Sequence, residues 1–275
     1  MVRPQAAVEE LEKQRISSCR LAADQALSTL DEAERFLRDR GLLTLTPDCS
    51  LPSLFGACHE DPYQPGGRGF ASWPKTKWWW GGALAARPGV VVARIHAGKG
   101  LFLTEHTAAL ADPLCRAELA AADAGQLGEG EQRLVRHLAD AGPAALDELK
   151  EELSLGPKEL RALRSRLERV GAIVAKDLRL DTKGGGHRHT SELFRWDQLF
   201  PQPALGHSGP AELVVAGVEP AVIAPEREAR AWFSWRVPAS AIDALVEEGR
   251  LQRPAPSLLS GAGTASARGQ AARWP

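Results

Sequence analysis

The 275-residue sequence predicts a helix-rich α+β fold built from tandem modules, each a run of helices followed by a strand or hairpin. Three observations lead there. Apolar residues recur at helical spacing in several separate segments. Those segments stop at Gly or Pro and lead into short β-branched or Leu-rich runs. The same order recurs three times along the chain, near 28–46, 131–196 and 225–253.

In the first pass, Val8, Leu11, Ile16 and Leu21 predict a helix over 6–26, ending near Leu27. Ser28 or Thr29 caps a helix from about Asp31 to Arg40, with Glu32 in its first turn and Ala33, Phe36 and Leu37 on its core face. Gly41 ends it, and Leu42 to Thr46 reads as a strand closed by Pro47. A β-hairpin is inserted next: Val90 to His96, a turn at Ala97-Gly98-Lys99-Gly100, and a return strand from Leu101 to Thr104. The middle pass has helices over 131–141, 146–153 and 158–170, a strand from Ala172, a turn at Lys183-Gly184-Gly185-Gly186, and a strand around 193–196. Three helices followed by a hairpin is the layout of a winged helix, whose third helix enters the DNA major groove. The last pass has a helix from Pro225-Glu226 through Trp235, another opened by Pro238 or Ser240, and a strand at Arg250-Leu251-Gln252. The organisation expected is a first module at 1–60, a basic aromatic hairpin block at 61–125, a second winged helix at 126–200, a third at 201–258, and a disordered tail at 259–275, Gly-, Ala- and Ser-rich from Gly261. The modules are expected to pack around a basic channel.

Composition excludes several classes. With 44% hydrophobic and 25% charged residues, the chain is an ordinary globular one. No apolar run reaches the ~18 residues of a membrane helix, and Met-Val-Arg-Pro-Gln does not read as a signal peptide. Cys19, Cys49, Cys58 and Cys115 are far apart, so reduced thiols in the cytoplasm are expected rather than a disulfide framework. No metal site is expected, since Cys58-His59 and His187-Arg188-His189 lack partners at zinc spacing. Nor is a cofactor: there is no dinucleotide fingerprint, and Gly98-Lys99-Gly100 is not a phosphate loop. With no heptad pattern or long dimerisation helix, a monomer is expected.

The net charge is only −1, yet it is unevenly spread. Residues 62–104 hold Arg68, Lys75, Lys77, Arg87, Arg94 and Lys99 with no Asp or Glu, interleaved with Tyr63, Phe70, Trp73, Trp78, Trp79, Trp80 and Phe102. Cations meet phosphates and rings stack on bases, so the mixture suits a nucleic-acid surface. Side chains alternate along a strand, so three consecutive Trp cannot all enter one core. Residues 157–195 carry ten basic against five acidic residues, and Lys158, Arg161 and Arg164 share one helix face. These three, with Arg188 on the wing, are candidate DNA contacts, as are His59, Arg68, Lys75, Lys77, Arg94 and Trp78 to Trp80. Glu60 and Asp61 are the acids adjoining the cationic aromatic block. A carboxylate there suits activation of water and stabilisation of an oxocarbenium-like sugar.

The stretches Leu30-Asp31-Glu32-Ala33-Glu34-Arg35-Phe36-Leu37-Arg38-Asp39-Arg40-Gly41-Leu42-Leu43, Leu51-Pro52-Ser53-Leu54-Phe55-Gly56-Ala57 and Trp73-Pro74-Lys75-Thr76-Lys77-Trp78, with the basic middle module, resemble the AlkZ-related proteins, kin of the AlkZ/YcaQ winged-helix DNA glycosylases. The resemblance spans about 28–253. It implies tandem winged helices around a DNA channel and hydrolysis of the N-glycosidic bond of alkylated or otherwise modified bases, without metal or cofactor. Those glycosylases hold the catalytic water with a Gln-hydrophobe-Gln motif that is absent here: Gln198 and Gln202 are four apart and Gln64 is isolated. Glu60 or Asp61 is then first in line to activate water. The alternative is a non-catalytic winged-helix DNA-binding protein, such as a regulator.

Overall fold

The computed structural model describes residues 4–181, 187–206 and 208–262. Among the described residues there are eleven α-helices and three antiparallel three-stranded sheets.

Helix α1 (Pro4–Ser18) is shorter than its apolar spacing predicts. Arg20 takes a positive φ of 54°, which breaks the helix, and Ile16 and Leu21 stay exposed. Helix α2 (Leu30–Arg40) begins as expected. The Thr29 hydroxyl accepts from the Glu32 amide, while the Glu32 carboxylate accepts from the amides of Ser28 and Thr29. Ala33, Phe36 and Leu37 are buried, each large side chain stabilising by about 1.5–3 kcal/mol. Strand β1 (Leu42–Thr44) follows. After a long irregular loop come α3 (Trp80–Ala85), β2 (Val90–His96) and β3 (Lys99–Thr104), joined by a two-residue turn with positive φ at Ala97 and Gly98. The order β1-β3-β2 places the hairpin in the same sheet as β1.

Helix α4 (Glu105–Asp123) has no counterpart in the sequence reading. Its Ala-rich composition gives no sharp stripe, and Pro113 sits inside it, where a breaker is read. It carries nine buried residues and contacts α5, α8, α9 and β3. The middle module comprises α5 (Glu129–Ala141), β4 (Ala144–Ala145), α6 (Leu146–Glu152), α7 (Pro157–Arg169), β5 (Ile173–Asp181) and β6 (His187–Arg195), in sheet order β4-β6-β5. Trp196 does not extend the last strand; it opens α8 (Trp196–Leu199) with its ring fully buried. The last module opens with a helix that the sequence reading does not place, α9 (Pro210–Ala221), then β7 (Ile223–Pro225), α10 (Glu226–Ala229), α11 (Ala239–Glu247), β8 (Leu251–Gln252) and β9 (Leu258–Gly261), in order β7-β9-β8. The predicted helix over 225–235 is cut to one turn, because Trp232 and Phe233 leave it to fill the core. Leu259, fully buried, draws 258–261 into the sheet and out of the expected tail. The rest of the tail beyond 262 and the turn at 183–186 lie outside the described residues.

In each sheet the last strand lies between the other two, so one topology appears three times. One apolar cluster runs from Leu42 through α4 and α9 to Leu259 and joins all three modules. A second, built on Leu27, Phe36, Leu37, Leu54, Phe55, Trp80, Leu84 and Phe102, lies under the aromatic block. The junction of the first two modules is tight at Gly171, where φ is +68° and an added Cβ would stand 2.4 Å from the Cys115 sulfur. Gly171→Ala is expected to cost roughly 2–4 kcal/mol from backbone strain plus overpacking. Gly249→Ala, at φ +69° in open space, is expected to show the strain alone, about 1 kcal/mol. Urea denaturation midpoints of the two variants check the difference.

Candidate nucleic-acid interface

The loop between β1 and α3 is held by its backbone. Leu54 donates to Thr44 and Phe55 to Leu45, which lay the first part along β1. Tyr63 donates to Trp73, Gln64 to Ala71 and Lys75 to Asp61, which close residues 61–75 on themselves. Glu60 anchors this closure: its carboxylate accepts from the Thr76 amide at 2.5 Å and the Lys77 amide at 3.2 Å. Glu60 also lines an open pocket of about 530 Å³ with Phe55, His59, Gln64, Ser72 and Pro74 among its walls. A volume of that order suits a small ligand.

A ladder of rings leads away from the pocket. Phe55 and Trp73 centroids are 5.4 Å apart, Trp73 and Phe70 5.2 Å, Phe70 and Trp78 5.6 Å, and Phe70 and Tyr63 5.7 Å. Trp80 is buried, whereas Tyr63, Phe70, Trp78 and Trp79 are 44–51% exposed. Four large exposed rings on one loop form a patch that packing alone does not require. This divides the Trp run: the turn entering α3 sends Trp80 inward and its two predecessors outward.

The charges are less free than the sequence suggests. Lys77 donates to the Leu27 carbonyl and lies over the Trp80 ring, so it supports the fold instead of reaching outward. Arg87 pairs with Asp31 and Glu34, and Lys99 with Asp48. Arg94 and Arg164 both pair with the buried Glu168, at 3.4 and 3.2 Å, and this trio ties α7 to β2. Arg166 pairs with Glu131, and Arg195 is buried between Asp123 and Asp197. Three of the six cations in the acid-free stretch at 62–104 are thus paired with acids from elsewhere in the chain. Of the candidate DNA contacts among the described residues, Arg68, Lys75, Lys158 and Arg161 are exposed without an acidic partner. The Arg188 side chain lies outside the described residues.

His59 is exposed but occupied. It has a left-handed backbone, and its Nε2–H donates to the Arg20 carbonyl at 2.7 Å, which fixes the tautomer. Asp61 is exposed and does not line the pocket formed by its neighbours. Of the two candidate acids, the structure brings only Glu60 to the pocket. The pocket walls Phe55, Gln64 and Ser72 were not singled out from sequence, because nothing local marks residues that a loop closure brings together.

Burial pushes the thiols of Cys49 and Cys58 up to about 11, so neither stands as a thiolate at neutral pH. Among the described residues, one trio of metal-ligating types converges, Asp48, Cys49 and His96. Comparison with protein-family models, curated proteins and solved structures finds no match for this chain.

Proposed function

We propose that the chain binds DNA through three winged-helix modules and takes an extruded, modified base into the Glu60 pocket, where it hydrolyses the N-glycosidic bond. The observation that carries this reading is the ring ladder running from exposed Trp78, Phe70 and Tyr63 to Phe55 at the pocket beside Glu60. Exposed rings stack on bases, and an extruded base needs a pocket with a catalytic group in it. The thrice-repeated helix, strand, helix and hairpin order supports the winged-helix assignment. Lys158 and Arg161, on the first two turns of α7, supply phosphate contacts there, while Arg164 remains an inter-module brace.

In the reaction, the Glu60 carboxylate accepts a proton from a water whose oxygen bonds to the sugar C1′. The C1′–N bond breaks and its electron pair leaves with the base. A base carrying positive charge from alkylation departs as a neutral molecule. The carboxylate also stabilises positive charge that develops on the sugar.

A second reading is favoured by one observation. Both Glu60 oxygens already accept backbone amides, which is sufficient to explain the residue as a loop anchor. The chain is then a non-catalytic DNA-binding protein that uses the same aromatic surface. Incubation with duplexes carrying one modified base, followed by alkaline cleavage at abasic sites, separates the two. Strand breaks at the modified position support base excision. Salt-sensitive binding without breaks supports the second reading, and absence of binding removes both.

A further inference from the structure

We propose that Asp48, Cys49 and His96 form a binding site for a zinc-like divalent metal ion at the junction of the first and third modules. Their donor atoms all lie within 4.8 Å of one another. The Cys49 sulfur is 3.8 Å from His96 Nε2, and Asp48 Oδ1 is 3.9 Å from the same nitrogen. Tetrahedral zinc with bonds of about 2.0–2.3 Å sets its ligand atoms roughly 3.3–3.6 Å apart. The two distances to His96 Nε2 therefore exceed those of a zinc cage by only a few tenths of an ångström.

The imidazole is already oriented for this. His96 Nδ1 donates to the Trp232 carbonyl at 2.6 Å, so Nε2 carries a lone pair, and that lone pair faces the cysteine and the aspartate. A carbonyl behind a ligating imidazole is the usual outer-shell partner that fixes its tautomer. The cysteine loop is held from the same side. Glu228 accepts from the Ser50 amide at 2.6 Å and from the Trp232 indole at 2.9 Å. One carboxylate thus positions the residue next to Cys49 and the residue whose carbonyl sets His96.

A thiol–imidazole nucleophile would need its orienting acid on the opposite ring nitrogen. Here thiol and carboxylate converge on one nitrogen, which is the arrangement of a metal cage. Lys99 occupies Asp48 Oδ2 and leaves Oδ1 for the ion. Metal binding displaces the Cys49 proton to solvent, and three protein donors leave a fourth position for water. A soft thiolate with imidazole and carboxylate selects zinc-type ions over magnesium or calcium.

Titration of the full chain with Co²⁺ tests the site. The expected result is uptake of one ion per chain with a sulfur-to-cobalt charge-transfer band that Zn²⁺ bleaches. Cys49→Ser is expected to lose the band and to weaken Zn²⁺ binding at least about tenfold, while Cys58→Ser, a buried thiol elsewhere in the same module, retains both. Asp48→Asn, at a partly exposed position, is expected to weaken binding with the band kept. Circular dichroism confirms that each variant is folded. Absence of saturable uptake, or a band that survives Cys49→Ser, overturns the proposal.

Discussion

Asp112→Ala is expected to destabilise the protein by roughly 3–5 kcal/mol, the cost of breaking a buried charged network from one side. Asp112 is 1% exposed. Both its oxygens accept from Arg116 Nε, at 3.0 and 2.9 Å. Oδ1 also accepts from the Trp196 indole at 2.7 Å, and Oδ2 from the Ala204 amide at 2.9 Å. A single carboxylate therefore joins α4 to α8 and to the segment leading into the third module. Its removal leaves three N–H groups without that acceptor, one of them the Nε–H of the Arg116 guanidinium, which keeps only its bond to the Phe200 carbonyl. Such a loss is a large part of the 5–15 kcal/mol by which domains are usually stable. Urea denaturation followed by circular dichroism measures it, and a loss below about 1 kcal/mol contradicts the network's importance.

Under the proposed function, Glu60→Gln is expected to slow base release by roughly 10²- to 10⁴-fold, the usual contribution of a positioned general base. Glutamine has the same shape and keeps one carbonyl oxygen for the Thr76 or Lys77 amide, so the loop closure persists. DNA affinity should change by less than about threefold, because phosphates and stacking supply it. Asp61→Asn is expected to leave the rate unchanged, since its side chain lies in solvent and its backbone alone meets Lys75. Single-turnover kinetics with binding measured in parallel distinguish the roles. An unchanged rate for Glu60→Gln returns the residue to loop anchoring. A variant that loses binding and melts early shows the same.

The elements that punctuation marks are the ones legible in the sequence. Thr29 and Glu32 start α2, Gly41 ends it, and Pro157 opens α7 where expected. α4 and α9 escape because their Ala- and Val-rich sequences give no sharp apolar stripe, and because Pro113 and Pro220 lie inside them. Trp232 looks helical in its segment, yet its indole bonds Glu228 four residues earlier and its carbonyl meets His96, a residue that only the fold brings near. The candidate site was half legible. Glu60 and the exposed Trp pair stand out by composition, whereas the partners that neutralise Arg87, Arg94 and Lys99 come from distant segments. Charge counted along a chain overstates the charge a surface presents.

That difference gives the account its most direct measurement, the slope of log affinity against log salt for duplex DNA. Each phosphate neutralised contributes about −0.9. Arg68, Lys75, Lys158 and Arg161 together give a slope of about −3.6. The expected slope is close to that value. A slope near zero contradicts DNA binding, and one of about −10 or steeper contradicts the ion pairs that neutralise the basic stretches.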